Sequence, residues 1–239
     1  MFKNLGYSLF VLLLFGISFA QIDTSKYDKF FKGQLTSIDE VLEEGEHYDF
    51  YDFNFKKGQE ISFELSSDDF DTYLFLVTPE GPSFDADDYK SEDAKFVTRL
   101  AIPIAADGPY QIVVTSLHAH EKGDYILGMN IKEDFYQDFV TGTIEAPDKT
   151  LEENHFYDEF KLTISEGEIV TMALISPDFD TLLKLTMPDG ETLTSDDVDG
   201  QIGLSRLSFT AKESGIYKIL VSSSYVGEVG EYRLSLAYQ

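Results

Sequence analysis

The chain contains no cysteine and no tryptophan among its 239 residues, and only 18 Lys and Arg side chains stand against 44 Asp and Glu. Without cysteine there is no disulfide scaffold, no thiolate-ligated zinc and no thiol nucleophile. A formal charge of −26 repels nucleic-acid phosphates and anionic lipid headgroups, since affinity for either needs clustered Lys and Arg. Nucleic acid is therefore not an expected partner. What the chain does have is apolar material, 43% hydrophobic and 14% aromatic. That is more than a disordered acidic protein carries and enough for packed cores, so the charge belongs on the surface.

Long apolar runs are scarce as well. Residues 9–15 form one near the start, preceded by Lys3 and followed by Ser18-Phe19-Ala20, which offers small residues at the two positions a signal peptidase reads. The run is shorter than the roughly 20 apolar residues a spanning helix needs. Residues 1–20 thus read as a signal peptide, with the mature chain starting near Gln21 and no cysteine there to take a lipid. No later stretch is apolar for long enough to span a bilayer, so no membrane insertion is expected and the protein is expected to be secreted, to the periplasm or the medium. The absence of cysteine fits an exported bacterial protein that folds without disulfides.

The remainder reads as two copies of one unit. Tyr27, Phe30 and Gly33 recur 109 positions later as Tyr136, Phe139 and Gly142, Tyr48-Asp49 recurs as Tyr157-Asp158, and Gly58 recurs as Gly167. Asp69-Phe70-Asp71-Thr72 returns as Asp178-Phe179-Asp180-Thr181, and Asp87-Asp88 as Asp196-Asp197. The offset then becomes 107, through Arg99/Arg206, Gly108/Gly215, Gly123/Gly230 and Tyr125/Tyr232. The length change falls between Asp88 and Arg99, where a surface loop is expected because solvated backbone tolerates it. Each copy is the size of a domain. The expected units are 21–130 and 131–239, closely abutted because no Pro, Gly or Ser-rich linker parts them.

Within each copy the hydrophobic period is two. Tyr51, Phe53 and Phe55 alternate with Asp52, Asn54 and Lys56, as do Phe160, Leu162 and Ile164 with Lys161, Thr163 and Ser165. Pro79-Glu80-Gly81 and Pro188-Asp189-Gly190 supply turn chemistry. Only residues 26–31 and 37–44 could be helical, and both stretches are short. The expected fold class is all-β, two tandem antiparallel β-sandwiches.

Taken together, Asp69-Phe70-Asp71-Thr72-Tyr73-Leu74-Phe75-Leu76, the Pro-x-Gly turn, Asp87-Asp88, Arg99 and Gly108-Pro109-Tyr110-Gln111-Ile112-Val113-Val114 resemble the bacterial pre-peptidase C-terminal domain. The second copy follows the pattern more fully, through Phe179-Asp180-Thr181-Leu182-Leu183, Ser195-Asp196-Asp197, Ser205-Arg206-Leu207 and Ser214-Gly215-Ile216-Tyr217-Lys218-Ile219-Leu220-Val221. The resemblance implies jelly-roll-like sandwiches similar to the collagen-binding domains of clostridial collagenases. It also implies a role in secretion, localisation or substrate binding, with calcium held in some members. Within these 239 residues no peptidase domain precedes the repeats, a departure from the family that puts the usual role of a protease's passenger in question.

The acidic turns are the strongest candidate site. Asp69, Asp71, Asp87 and Asp88 in the first copy, and Asp178, Asp180, Asp196 and Asp197 in the second, lie on turns that hairpin-connected strands bring near each other. Converging carboxylates repel unless something positive sits among them. Calcium, which takes about six to eight hard oxygens, could serve. So could Arg99 and Arg206, each pairing as a fork with Asp71 or Asp180 to fix the loop without metal, and Asp also satisfies turn backbone by itself. Asp197-x-Asp199-Gly200 looks like the start of a calcium loop but lacks its remaining ligands.

His118-x-His120 would put two imidazoles on one side of an extended strand, yet its counterparts are Tyr225 and Gly227, which favours a solvated loop. Tyr89, Phe135, Tyr136 and Tyr225 are candidates for exposed stacking aromatics. No Gly-x-Ser-x-Gly, Ser-x-x-Lys or His-Glu-x-x-His signature occurs, so no catalytic residue is named. The expected function is that of a secreted, non-catalytic protein binding an extracellular protein or polysaccharide. A structural or secretion-assisting accessory comes next and an unrecognised hydrolase third; nothing in the sequence sets an oligomeric state.

Overall fold

Alternating side chains demand a surface that is wet on one side and dry on the other, and the backbone answers with strands throughout. A computed structural model describes residues 23–79, 83–86, 96–146, 148–151, 155–198 and 201–239. The expected signal peptide and most of the loop expected between Asp88 and Arg99 lie outside the described residues. The first sandwich has β1 (Lys29–Leu35), β2 (Tyr48–Phe55), β3 (Glu60–Ser67), β4 (Thr72–Val77), β5 (Ser83–Ala86), β6 (Phe96–Pro103), β7 (Gly108–Ser116) and β8 (Gly123–Lys132). The second has β9 (Asp138–Ile144), β10 (Lys149–Thr150), β11 (Phe156–Ile164), β12 (Ile169–Ile175), β13 (Thr181–Thr186), β14 (Thr192–Ser195), β15 (Asp197–Val198), β16 (Gln201–Thr210), β17 (Gly215–Ser223) and β18 (Gly230–Tyr238).

The first sandwich pairs sheet β1-β8-β3-β6 with sheet β2-β7-β4-β5, and the second pairs β9-β18-β12-β16-β15 with β10-β11-β17-β13-β14. With the short β10 and β15 set aside, the two orders are the same. The fold is all-β and antiparallel, and among the described residues no helix is long and apolar enough to cross a membrane. Residues 26–31 and 37–44 are not helices. The former ends a 3-10 turn at Thr24–Lys26 and enters β1, which pairs with β8 from Lys29↔Met129 to Leu35↔Gly123. A short local helical preference loses to a complete ladder of backbone hydrogen bonds. The strand β8 runs on to Lys132, so the cut expected between residues 130 and 131 falls inside it, and the connector is residues 133–137.

Ile61, Phe63, Leu65, Leu74, Leu76, Ile112 and Val114 fill the first core, and Val170, Met172, Leu174, Leu183, Leu185, Ile219 and Val221 fill the second. A tyrosine lock closes each core at one end. Tyr125 gives its hydroxyl to Asp49 Oδ2 at 2.5 Å, and Tyr232 gives its own to Asp158 Oδ2 at 2.6 Å. Each ring lies flat over a glycine. A Cβ on Gly33 would sit 2.2 Å from Tyr125, and one on Gly142 would sit 2.3 Å from Tyr232. That close approach explains why glycine, aspartate and tyrosine recur together in both copies.

The sandwiches meet through an outer sheet face. Ala173, Ile175, Leu204 and Ala237 of the second sandwich join the core cluster of the first, with Tyr136 of the connector. Tyr136 donates its backbone N–H to Gly58 O and Gln137 its own to Leu236 O, so the connector is tied to both sides. At the centre is Glu60, only 4% exposed. Its Oε1 accepts from Lys132 Nζ at 2.6 Å, its Oε2 accepts from the Tyr136 hydroxyl at 2.9 Å, and Arg206 Nη2 of the second sandwich lies 2.9 Å from the same Oε2.

The equivalent arginine of the first sandwich is held differently. Arg99 pairs with Glu64 on the adjacent strand at 2.9 Å, and Glu64 also takes Lys26 at 2.6 Å and the Tyr27 hydroxyl at 2.5 Å. Burial raises the Glu64 pKa, but the hydrogen bonds from Lys26, Tyr27 and Arg99 outweigh it and hold the carboxyl below its ordinary value. Ala173 occupies the place of Glu64 in the second sandwich, directly opposite Arg206 in the ladder. Arg206, with no carboxylate opposite it in that ladder, takes Glu60 from its neighbour.

Two outcomes are expected. Burial pushes the phenols of Tyr125 and Tyr232 well above the ordinary tyrosine range, with the Tyr51 phenol adding to it for Tyr125 and the aspartate hydrogen bonds for both. Unfolded tyrosine ionises near about pH 10 while these folded phenols stay protonated, so their contribution is intact below that pH and is lost as pH rises past it. Thermal melts between about pH 9 and 11 should show a falling melting temperature, flattened in Tyr125→Phe and Tyr232→Phe. Chemical denaturation should show Arg206→Ala losing about 2–3 kcal/mol, because Glu60 stays buried with Lys132 alone as countercharge. Arg99→Ala, whose side chain is 44% exposed, should lose about 1 kcal/mol or less.

Candidate functional site

The acidic turns are built for the backbone. Ser67 Oγ accepts from the N–H groups of Asp69 and Phe70 and donates to Asp124 O, while Asp69 Oδ2 accepts from Asp124 N at 2.9 Å. Ser176 and Asp178 repeat every bond on Phe179, Glu231 O and Glu231 N, the last at 2.8 Å. Gly123 and Gly230 complete the contact, since a Cβ on either would fall 2.1 Å and 2.2 Å from the aspartate Cβ. The backbone carbonyls of Asp71 and Asp180 accept from Leu117 N and Ser224 N. Ser224 also donates its hydroxyl to Asp196 Oδ1 at 3.1 Å, which brings the Asp180 and Asp196 turns together. Asp87, Asp88 and the side chain of Asp197 lie outside the described residues.

Arg99 and Arg206 form ion pairs with the glutamates Glu64 and Glu60, where the sequence pointed to Asp71 and Asp180. The reason is register: Arg99 stands directly opposite Glu64 in the β3–β6 ladder, and the aspartates sit beyond the strand ends. His118 and His120 are exposed in a turn, not on an extended strand; His120 has φ 67° and donates its N–H to Gly45 O. His155 Nε2 lies 2.7 Å from Ser223 O. Of the aromatics named from sequence, Tyr136 is buried at the junction, Phe135 packs against it, Tyr225 is exposed and Tyr89 is outside the described residues.

Among the described residues no three His, Asp or Glu side chains are grouped to take a metal ion. Glu121 and Glu228, equivalent loop residues that the sequence did not single out, each turn Oε2 inward without a hydrogen-bond partner. Asp71 Oδ1 and Asp180 Oδ1 are buried as well, so each sandwich turns two carboxylate oxygens inward, against the about six to eight oxygens that calcium takes. Asp69→Ala and Asp178→Ala should each lower stability by about 1 kcal/mol through the lost backbone bond. Thermal melts read the loss.

A different feature has the form of a binding site. On β4 the side chains of Thr72, Leu74 and Leu76 enter the core, which sends Tyr73 and Phe75 to the outer face. Their rings meet edge to face, 4.9 Å apart at 61°. The connection between β1 and β2 folds over that face. It is fixed by the Val41–His47 bridge, by Leu42 N to Glu46 O at 2.9 Å, and by His120 N to Gly45 O at 3.1 Å. Between them lies an open groove of about 370 Å³, lined by Leu42, Tyr73, Phe75 and Leu117 with Glu43, Glu44 and Glu46, and with Thr115 and Ser116 at its base. That volume is in the range of small-ligand sites.

The second sandwich has Leu182 and Lys184 at the positions of Tyr73 and Phe75. The fold does not need the aromatic pair, because the same strand forms without it. The signal was present in the sequence: residues 73–77 stay apolar where alternation calls for polar residues, and the second copy restores a lysine.

The groove borders a recognisable segment, which supplies its Tyr73, Phe75, Thr115 and Ser116. Residues 47–116, from the residue before β2 to the end of β7, match the family model described as bacterial pre-peptidase C-terminal domain. No curated protein sequence matches the chain. Solved structures give distant likenesses. A Bacillus licheniformis lipase in propeptide form is 15% identical over 89% of this chain and 40% of its own, with TM-score 0.31. A Eubacterium rectale protein described as secreted is 14% identical over 87% of this chain and 73% of its own, with TM-score 0.26. An archaeal virus protein with a triple jelly-roll fold is 12% identical over 88% and 59%, with TM-score 0.27. The chain thus spans about 40% of the lipase's length, and scores this low add nothing to the all-β architecture already described. The family match does add something: the first sandwich contains a bacterial pre-peptidase C-terminal domain, over residues 47–116.

Proposed function

We propose that this chain is an exported, non-catalytic binding protein of two tandem pre-peptidase C-terminal modules, and that its ligand is an extracellular protein or polysaccharide. The observation that carries the proposal is the groove over Tyr73 and Phe75. It is preformed and open, and its aromatic pair belongs to one copy of a duplicated fold that does not require it, the second copy having Leu182 and Lys184. The second module is taken as a further copy of the family because it repeats the sheet order, the Ser176–Asp178 turn and the Tyr232–Asp158 lock. Export rests on the apolar run of residues 9–15, on the small residues after it and on the family. A charge of −26 turns the protein away from nucleic acid and anionic membranes.

The carboxylates support a binding role over turnover. Asp69 and Asp178 each hold backbone, and Glu60 and Glu64 are spent on ion pairs. The second module acts as a brace: its docked face covers Glu60 and the end of the first core. A glycan and matrix-protein array probed with residues 21–239 is expected to reveal a ligand, and Tyr73→Leu/Phe75→Lys should weaken it about tenfold or more. These are the residues the second copy carries, so the variant should melt like the parent. Peptide, ester and glycoside substrates should yield no product. Product release abolished by a carboxylate substitution, or ligand binding indifferent to the double variant, would count against the proposal.

A further inference from the structure

The chemistry of the groove narrows what it takes. Both hydroxyls at its base are already committed, since Thr115 Oγ1 donates to His47 O at 2.8 Å and Ser116 Oγ donates to His118 O at 2.8 Å. Besides the Tyr73 hydroxyl, the remaining polar side chains of the lining are the carboxylates of Glu43, Glu44 and Glu46, and among the described residues no Lys or Arg lines the groove. Three carboxylates on one short connection over an aromatic floor favour an occupant that brings donors and positive charge on an apolar stem. A neutral sugar fits this less well. Sugars stack face to face on a flat ring, whereas these two rings meet at 61° and are both half-buried, which makes a notch in place of a platform.

We infer that the groove takes the side chain of an arginine or lysine carried by an extended segment of an extracellular protein. The stem lies against Tyr73 and Phe75, and the cation sits among the glutamates. Aromatic faces attract cations, arginine more effectively than lysine because its plane also stacks and its fork matches a carboxylate. The second module keeps Glu152 and Glu153 at the places of Glu43 and Glu44 but carries Lys184 where Phe75 stands and Leu182 where Tyr73 stands, so it replaces the aromatic notch with a like charge. Specificity thus lies in one copy and the brace in the other. This inference rests on the binding function proposed above and selects protein over polysaccharide.

Fluorescence anisotropy on residues 21–239 tests it with three labelled hexapeptides that differ only in a central arginine, lysine or glutamine, and with labelled cellohexaose. The arginine peptide should bind about tenfold or more tighter than the glutamine peptide, with lysine between them. Its affinity should fall as salt rises, and Glu44→Gln and Tyr73→Leu/Phe75→Lys should both weaken it. Equal binding of the arginine and glutamine peptides would overturn the inference. So would cellohexaose binding that the double variant abolishes, which leaves the binding function standing with a polysaccharide as ligand. If a polymer from the array binds and is indifferent to both variants, the groove is not the site and both readings fall.

Discussion

Glu60 meets partners from three places: hydrogen bonds from Lys132 at the end of β8 and Tyr136 in the connector, and the positive charge of Arg206 on β16 of the other sandwich. At 4% exposure its charge is tolerable only while those partners stay in position, because a buried carboxylate without a countercharge costs several kcal/mol. The same three residues therefore fix where the second sandwich stands. Their geometry explains the connector as well. Gly58, with φ 93°, accepts the backbone N–H of Tyr136, and a Cβ there would press on Tyr136 O at 3.0 Å. Duplicated domains joined by five residues could have swung freely, but here backbone bonds, an ion pair and an apolar face converge on one arrangement.

One substitution separates the two outer sheet faces. With Glu64, the first sandwich builds its own network from Lys26, Tyr27 and Arg99, and that face stays polar. With Ala173 at the same place, the second sandwich presents Ala173, Ile175, Leu204 and Ala237, flat enough to dock and short of one carboxylate for Arg206. Burial of such a face contributes roughly 25 cal/mol per Å² removed from water. The ion pair selects the orientation in which that burial occurs.

The copies agree where the fold needs them to and differ where it does not. Serine, aspartate and glycine at Ser67, Asp69 and Gly123 return as Ser176, Asp178 and Gly230 with the same hydrogen bonds. Thr72 and Thr98 form a buried hydroxyl pair at 2.8 Å, and Thr181 and Ser205 repeat it. The duplicated acids Asp69 and Asp178 mark turns that must be held, and their carboxylates are occupied by backbone. The unduplicated pair, Tyr73 and Phe75, is where the first copy departs from structural need. Function on a shared scaffold resides in such departures.

The sequence by itself determined the class of fold, the duplication and the positions of most strands. Period-two alternation and turn residues are local properties, and a repeat at 109 and 107 residues needs no coordinates to be seen. It also marked Gly33, Asp49 and Tyr125 as recurrent without saying why, since the reason is a contact between residues 76 and more positions apart. Tertiary structure alone decided the partners of charge. Arg99 and Arg206 are equivalent by sequence, yet one faces Glu64 across a ladder and the other reaches Glu60 in a different domain. It alone decided the groove too, because Glu43, Glu44 and Glu46 come to Tyr73 and Phe75 only when the connection after β1 folds across β4. Alternation tells each side chain whether it points in or out, whereas what it meets there depends on how sheets stack and loops cross, and that is a property of the whole chain.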